Sequence, residues 1–168
     1  MAAQYYIGCS GWHYDHWRGL YYPEGLSRSK WLQFYAGQFT TVELNNSFYR
    51  LPSEKAFNNW RESTPDGFVF AVKVSRFITH IKRLKNLDSA VETFLARAVF
   101  LGQKLGPLLY QLPPNMKRND ELLQDFLSSL PGATGTWSNS VMNHGLTMLY
   151  LIFYRDTMSD CAFSICPT

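Results

Sequence analysis

"TTVELNNSFYRLPSEKAFNNWRES", Thr40 to Ser63, holds one complete structural unit of the chain. Thr40–Leu44 is built from residues that favour a half-buried strand, and it breaks at the polar pair Asn45-Asn46. Beyond Pro52, Ser53 offers a helix N-cap, after which Ala56, Phe57 and Trp60 fall on one helical face. Strand, polar loop, amphipathic helix is the signature of a βα unit.

The same order recurs on either side. "YYIGCSGW" (Tyr5–Trp12) is an apolar run broken by a Gly-Cys-Ser-Gly turn, and "SRSKWLQFYAGQF" (Ser27–Phe39) follows it as a helix with Ser27 as N-cap. "GFVFAVKVS" (Gly67–Ser75) alternates as a third strand. "LDSAVETFLARAVFLGQKLG" (Leu87–Gly106) predicts the longest helix, capped at Asp88 and closed by glycine. "GPLLYQLPP" is a fourth strand ending at Pro113, and "NDELLQDFLSSLP" is a fourth helix with Asn119 or Asp120 as its cap. About four units, at roughly 30 to 40 residues each, match the period of βα units in a parallel sheet. No Gly-rich phosphate fingerprint follows the first strand, so the pattern predicts an α/β fold that is the N-terminal half of a TIM-like (β/α)8 barrel, not a dinucleotide-binding sheet.

The chain has 168 residues, 46% of them hydrophobic and 16% aromatic, enough for one domain with a core. A net charge of +3 permits a phosphate-bearing ligand but is low for a dedicated DNA binder. Cys9, Cys161 and Cys166 form an odd set without C-x-x-C spacing, which indicates neither a disulfide framework nor a zinc site and fits a reducing, cytoplasmic setting. The N-terminus lacks the pattern of a signal peptide. The most apolar window, Leu146–Tyr154, is about half of the ~20 residues a membrane span needs, so no membrane partner is expected.

In a βα barrel, side chains just beyond each strand converge on one face. The first strand delivers Ser10, Gly11 and Trp12, the second Glu43, Asn45 and Asn46, the third Lys73, Ser75 and Arg76, and the fourth Gln111 with Pro113 and Pro114. Glu43 and Lys73, on adjacent strands, suit either an acid–base pair or a buried structural ion pair. His80, in the basic loop Ser75–Lys85, can serve as acid, base or ligand. Trp12, Tyr14, Trp17, Phe48 and Tyr49 can stack on a planar ligand or roof the barrel. Asn46, Lys82 and Lys85 read better as turn and solvated surface residues. The expected catalytic residues are Glu43, Lys73 and His80; the expected ligand-binding residues are Ser10, Gly11, Trp12, Tyr14, Asn45, Tyr49, Arg76 and Gln111. No metal constellation is specific, since His13 and His16 lack a matching carboxylate pair, and no cofactor is indicated. A small-molecule or nucleic-acid ligand is the expected partner.

"IGCSGWHYDHWRGLYYP", "FTTVELNNSFYRLPS", "FVFAVKVSRFITHIKRL" and "LGPLLYQLPP", taken together, resemble the YecE-like family, domain of unknown function 72, from about Tyr5 to Pro131. The resemblance implies a TIM-barrel-like protein without an established activity. It also implies that the family's conserved positions include Gly8, Ser10, Gly11, Trp12, Tyr14, Trp17, Glu43, Asn45, Phe48, Tyr49, Lys73, Thr79, His80, Gln111, Pro113 and Pro114.

At Gly132 the resemblance stops. The family implies a fifth strand reading approximately "VEFRHxSW", and "GTWSNSVMNHGL" (Gly135–Leu146) does not supply it in frame. When the third base of each codon is taken as the first base of the next, the same stretch permits "HVVEFRHESW", and Met148 onward permits "AVFDLLPRYNVGLCVF", a helix and then an apolar strand. The expected organisation is therefore a partial barrel domain over 1–131 and an irregular, out-of-frame tail over 132–168, from a lesion or a sequencing error. A half barrel exposes a strand edge, so self-association is expected. Nucleotide sequencing across the Pro131–Gly132 junction checks the frame: one inserted or deleted base relative to family members is the expected outcome, and an alternative frame holding stop codons excludes it.

Overall fold

In the computed structural model, which describes residues 4–87, 89–130, 150–153 and 161–166, the four apolar runs are strands: β1 (Gln4–Cys9), β2 (Thr41–Leu44), β3 (Val69–Lys73) and β4 (Leu105–Gln111). They are parallel and lie side by side in chain order. The register sets Gly8 opposite Thr41, Glu43 opposite Ala71 and Lys73 opposite Leu109. A dinucleotide-binding sheet would reverse its strand order partway, whereas each strand here follows its predecessor, as in a singly wound barrel. The expected α/β fold of about four βα units is the one observed.

Side chains alternate across each strand, and the two faces meet different surroundings. Val42, Leu44, Phe70, Val72 and Tyr110 belong to one buried cluster with Trp31, Tyr35, Phe57, Phe94 and Phe126 from the helices. Burying each such side chain contributes roughly 1.5–3 kcal/mol, so this face supplies most of the drive to fold. The loop after β1 is pinned to the same core: Tyr22 stacks on Trp31 with centroids 4.6 Å apart, and its hydroxyl donates to the Trp12 carbonyl at 2.5 Å. The opposite face carries Gly8, Thr41, Glu43, Ala71, Lys73, Leu109 and Gln111.

The helices follow their capping residues where the side chains can reach. α1 (Trp31–Ala36) is preceded by a 3-10 turn, Arg28–Lys30, and Ser27 bonds to the Ser29 hydroxyl at 2.9 Å instead of capping it. α2 (Asn46–Tyr49) is a single turn that the sequence reads as loop. In α3 (Glu54–Glu62) the Ser53 hydroxyl accepts from the Ala56 amide at 3.2 Å, the expected cap. α5 (Asp120–Ser129) is capped by Asn119, whose side-chain oxygen accepts from the Leu122 amide at 2.9 Å; that decides between Asn119 and Asp120.

Two expectations need correction. The helix read over Leu87–Gly106 is shorter: α4 (Ala90–Ala98) passes into a 3-10 segment, Val99–Lys104, and Gly102, at φ 59°, turns the chain into β4. The glycine that ends the helical run is thus Gly102, whereas Gly106 lies within the strand. The expected cap Asp88 falls outside the described residues. The second correction concerns 132–168, read as irregular throughout. Within it β5 (Tyr150–Phe153) pairs antiparallel with β4, and β6 (Cys161–Cys166) pairs parallel with β1, giving the order β5-β4-β3-β2-β1-β6. Open edges present unpaired N–H and C=O groups, and short apolar segments such as "YLIF" and "CAFSIC" satisfy them whatever their origin. Among the described residues the edges move outward to β5 and β6 and the sheet stays open. Among the described residues no helix is long and apolar enough to cross a membrane.

β1 and β2 approach so closely that a Cβ on Gly8 would overlap the Thr41 carbonyl oxygen and lie 2.9 Å from its carbonyl carbon. Backbone cannot yield as a flexible side chain can. Gly8→Ala is expected to lower stability by about 1–3 kcal/mol, measured as a shift in the urea unfolding midpoint at constant slope.

Candidate functional site

Three strand ends meet through one serine. Ser10, the first residue after β1, donates its hydroxyl to Glu43 Oε1 at 3.2 Å. Asn45, just past β2, donates Nδ2 to Ser10 Oγ at 2.5 Å and to the Ser10 carbonyl at 3.0 Å. The Tyr14 hydroxyl donates to that same carbonyl. Gly11, at φ 107°, turns the chain at this point, and a Cβ there would come within 2.7 Å of the Tyr14 hydroxyl oxygen. Ser10, Gly11, Tyr14, Glu43 and Asn45, each picked out from the sequence, are thus brought together.

Glu43 is only 6% exposed. Desolvation raises its carboxyl above the ordinary carboxylate range, outweighing the Lys73 charge and the Ser10 hydrogen bond, both of which pull it down. Lys73 responds in mirror image: burial lowers its ammonium, and the Glu43 charge partly restores it. The two interact through space without a direct ion pair; the ion pairs formed among the described residues lie elsewhere. Lys73 Nζ sits 4.8 Å from the centre of the Phe48 ring instead. The tightly paired structural ion pair considered from sequence is therefore not the geometry found.

His80 lies on a π-helical turn, Phe77–Ile81, that sequence reasoning took for loop. Its Nδ1 is 2.9 Å from the buried Thr79 hydroxyl, and its ring meets Phe48 edge-on at 5.0 Å. Burial, then the charges of Arg76, Lys73 and Arg83, lower its pKa, so the imidazole is neutral at physiological pH. Phe48 accordingly touches both Lys73 and His80. Ser47 was missed in the sequence: its hydroxyl lies 2.9 Å from the Leu44 carbonyl and 2.7 Å from the Lys73 carbonyl, tying α2 to the ends of β2 and β3. A small polar residue directly after a strand end was its only signal.

The remaining candidates are dispersed. Arg76 is exposed on the rim, and Tyr49, 72% exposed, projects beside Phe48. Gln111 is buried at the end of β4. Trp12 is buried in the helix-side core with its ring edge-on to Trp60 at 5.8 Å, so it supports the loop more than it faces the strand ends. Clefts of about 580 Å³, lined in part by Arg50, Trp60 and Arg97, and of about 400 Å³, lined in part by Trp12, His13 and Trp60, flank α3 without including Glu43, Lys73 or His80. Among the described residues no group of three or more His, Cys, Asp or Glu side chains is placed to hold a metal ion.

Parallel strands in chain order, helices packed on one face and polar side chains gathered past the strand ends define a TIM-barrel-type α/β protein. Within that class the chain belongs to the DUF72 family: the profile described as "Protein of unknown function DUF72" matches residues 6–139. It is 36% identical over 128 residues to UPF0759 protein YecE of Escherichia coli (strain K12), covering 76% of this chain and 44% of that one. To UPF0759 protein YunF of Bacillus subtilis (strain 168) it is 37% identical over 115 residues, covering 65% and 40%. The crystal structure of a DUF72 family protein from Thermotoga maritima matches with a TM-score of 0.66 and 32% identity, covering 76% of this chain and 53% of that one. A DUF72 family protein from Enterococcus faecalis, at 20% identity and a TM-score of 0.60 over 75% of this chain and 47% of that one, shares the fold. The chain spans less than half the length of the curated relatives it matches.

The Glu43 shift has a consequence for stability. A carboxyl raised in the folded state contributes stability that is complete below the unfolded pKa and lost as pH rises through the folded one. Glu43→Gln removes that loss. Its urea midpoint should exceed that of the wild type at about pH 8, and the difference should vanish near pH 4, around the ordinary glutamate pKa.

Proposed function

We propose that the strand-end site is hydrolytic and acts on a phosphate-containing or nucleic-acid ligand, with Glu43 as the general base, Lys73 as the cation facing the developing negative charge and His80 as a neutral imidazole at the rim. The observation that carries this reading is the buried Glu43 carboxyl, raised by desolvation and held at 3.2 Å by a serine hydroxyl. The exposed cations Arg76, Lys82 and Arg83 beside His80 supply the field an anionic ligand requires. A second reading, a non-enzymatic module that binds a sugar-like or nucleotide-like ligand, draws on the exposed Tyr49 ring at the same rim. Gln111 and Asn45 would position the ligand in either case. The setting we propose is cytoplasmic.

In the same proposal residues 132–168 are an out-of-frame translation. This copy then carries only part of the ring of strand ends, and its turnover is low or absent. Self-association through the sheet edges at β5 and β6 belongs to this reading.

The test compares the chain as it stands with a frame-restored version, on chromogenic phosphate monoesters and diesters and on a single-stranded oligonucleotide. Turnover is expected in the restored chain and should fall at least about 100-fold in kcat/KM on Glu43→Gln, the usual scale of general-base catalysis. The unrestored chain is expected to elute as oligomers from a size-exclusion column. If no ester is cleaved while nucleotides or sugar phosphates still raise Tm, equally in wild type and Glu43→Gln, the binding-module reading replaces the hydrolytic one.

A further inference from the structure

We propose that the Ser10 hydroxyl is the nucleophile of this site, that Glu43 is the base that takes its proton, and that Asn45 is the residue that orients it. This deepens the hydrolytic reading and rests on it, since it names the atom that attacks.

The geometry is more specific than a serine that merely satisfies a carboxylate requires. Ser10 Oγ donates to Glu43 Oε1 at 3.2 Å and accepts from Asn45 Nδ2 at 2.5 Å. One lone pair of the hydroxyl oxygen is thereby engaged, its proton is directed at a carboxylate, and one lone pair is left for attack. The Ser10 backbone is held as well, because its carbonyl accepts from both Asn45 Nδ2, at 3.0 Å, and the Tyr14 hydroxyl. Positive φ at Gly11 turns the chain away directly behind it. Nucleophile, adjacent base and a third group fixing their alignment are the parts that nucleophilic catalysis needs. Ser10 is half-buried, while Glu43 is 6% exposed and shielded from water. Lys73, electrostatically coupled to Glu43, is the cation on the same sheet face.

The substrate of this step is a phosphate ester. Ser10 Oγ attacks phosphorus and forms an O–P bond as its proton passes to Glu43 Oε1. The bond from phosphorus to the leaving oxygen breaks, and that oxygen departs with the electron pair and takes the proton back from the Glu43 carboxyl. Water then attacks phosphorus as one of its protons passes to Glu43 Oε1. The Ser10 Oγ–P bond breaks with the electron pair on Oγ, which takes that proton from the Glu43 carboxyl, so phosphate leaves and the Ser10 hydroxyl and Glu43 carboxylate are regenerated.

Ser10, Glu43 and Asn45 all lie in the first two βα units, so the full chain as it exists can be tested. Diisopropyl fluorophosphate is incubated with it over a pH series from about 5 to 9, and adducts are located by intact mass and peptide mapping. One adduct on Ser10 is expected, with fluoride as the leaving group. Its rate should rise with pH along a single ionisation, fall by about 100-fold or more in Glu43→Gln with loss of that ionisation, and be zero in Ser10→Ala. Should Ser10→Ala fail to fold, the wild-type and Glu43→Gln rates carry the test. No adduct on Ser10 of the folded wild-type chain at saturating reagent, or equal rates in wild type and Glu43→Gln, overturns the proposal. Ester hydrolysis by the frame-restored chain that persists in Ser10→Ala also overturns it but leaves the hydrolytic reading standing, with Glu43 activating water. A Ser10 adduct combined with no hydrolysis of any phosphate ester by the frame-restored chain does the reverse: the nucleophile stands and the substrate class falls.

Discussion

The close approach of β1 to β2 at Gly8 and Thr41 governs the rest of the molecule. It sets the register of the first strand pair, and two residues further on that register brings Ser10 beside Glu43. A shift by one residue would turn Ser10 and Glu43 to opposite faces of their strands and put apolar side chains at the strand mouth. The same contact demands glycine, because a side chain there would have to displace a backbone carbonyl. The polar site is therefore a consequence of sheet packing before it is a matter of side-chain chemistry.

Burial gives that site its electrical character. Glu43, Lys73 and His80 are all displaced toward their neutral forms, in each case with desolvation as the largest cause. A surface trio of the same residues would screen one another and titrate near ordinary values. Here Phe48 contacts both Lys73 and His80, and the Ser10 hydrogen bond engages the Glu43 carboxylate. Opposite charges are thus held near each other without collapsing into a direct pair.

The tail shows a different principle. Residues 150–153 and 161–166 add strands to the two edges of the four-stranded parallel core, one of them antiparallel. Edge pairing asks little of a sequence beyond apolar side chains and a free backbone, so it does not require that the added segment be the family's own continuation. The core asks far more: Trp31, Tyr22 and Tyr35 interlock with partners at defined angles and distances.

Much of this was legible from local pattern alone. Strand runs that alternate or turn at Gly-Cys-Ser-Gly, caps such as Ser53 and Asn119, and the repeat of strand, loop and helix depend on neighbours within a few residues, so one sequence suffices to place them. Glu43, Asn45, Lys73 and His80 were legible as candidates because strand ends converge in any βα barrel. What stayed hidden depends on contacts distant in the chain. The α2 turn is secured by Ser47 reaching β3, and the π-helical turn at His80 packs against Phe48 of another unit. α4 stops short because Gly102 must redirect the chain while Lys104 donates to the Arg61 and Thr64 carbonyls, each at 2.6 Å, at the end of α3. Trp12, an attractive ring at a strand end, was drawn into the core by Trp60. Sequence by itself determined the βα order, the family and the set of polar residues at the strand ends, because these follow from short-range periodicity and motif. Only the tertiary structure decided that Ser10 joins Glu43 to Asn45 and that Glu43 and Lys73 stand apart, because strand register and burial are properties of the packed chain.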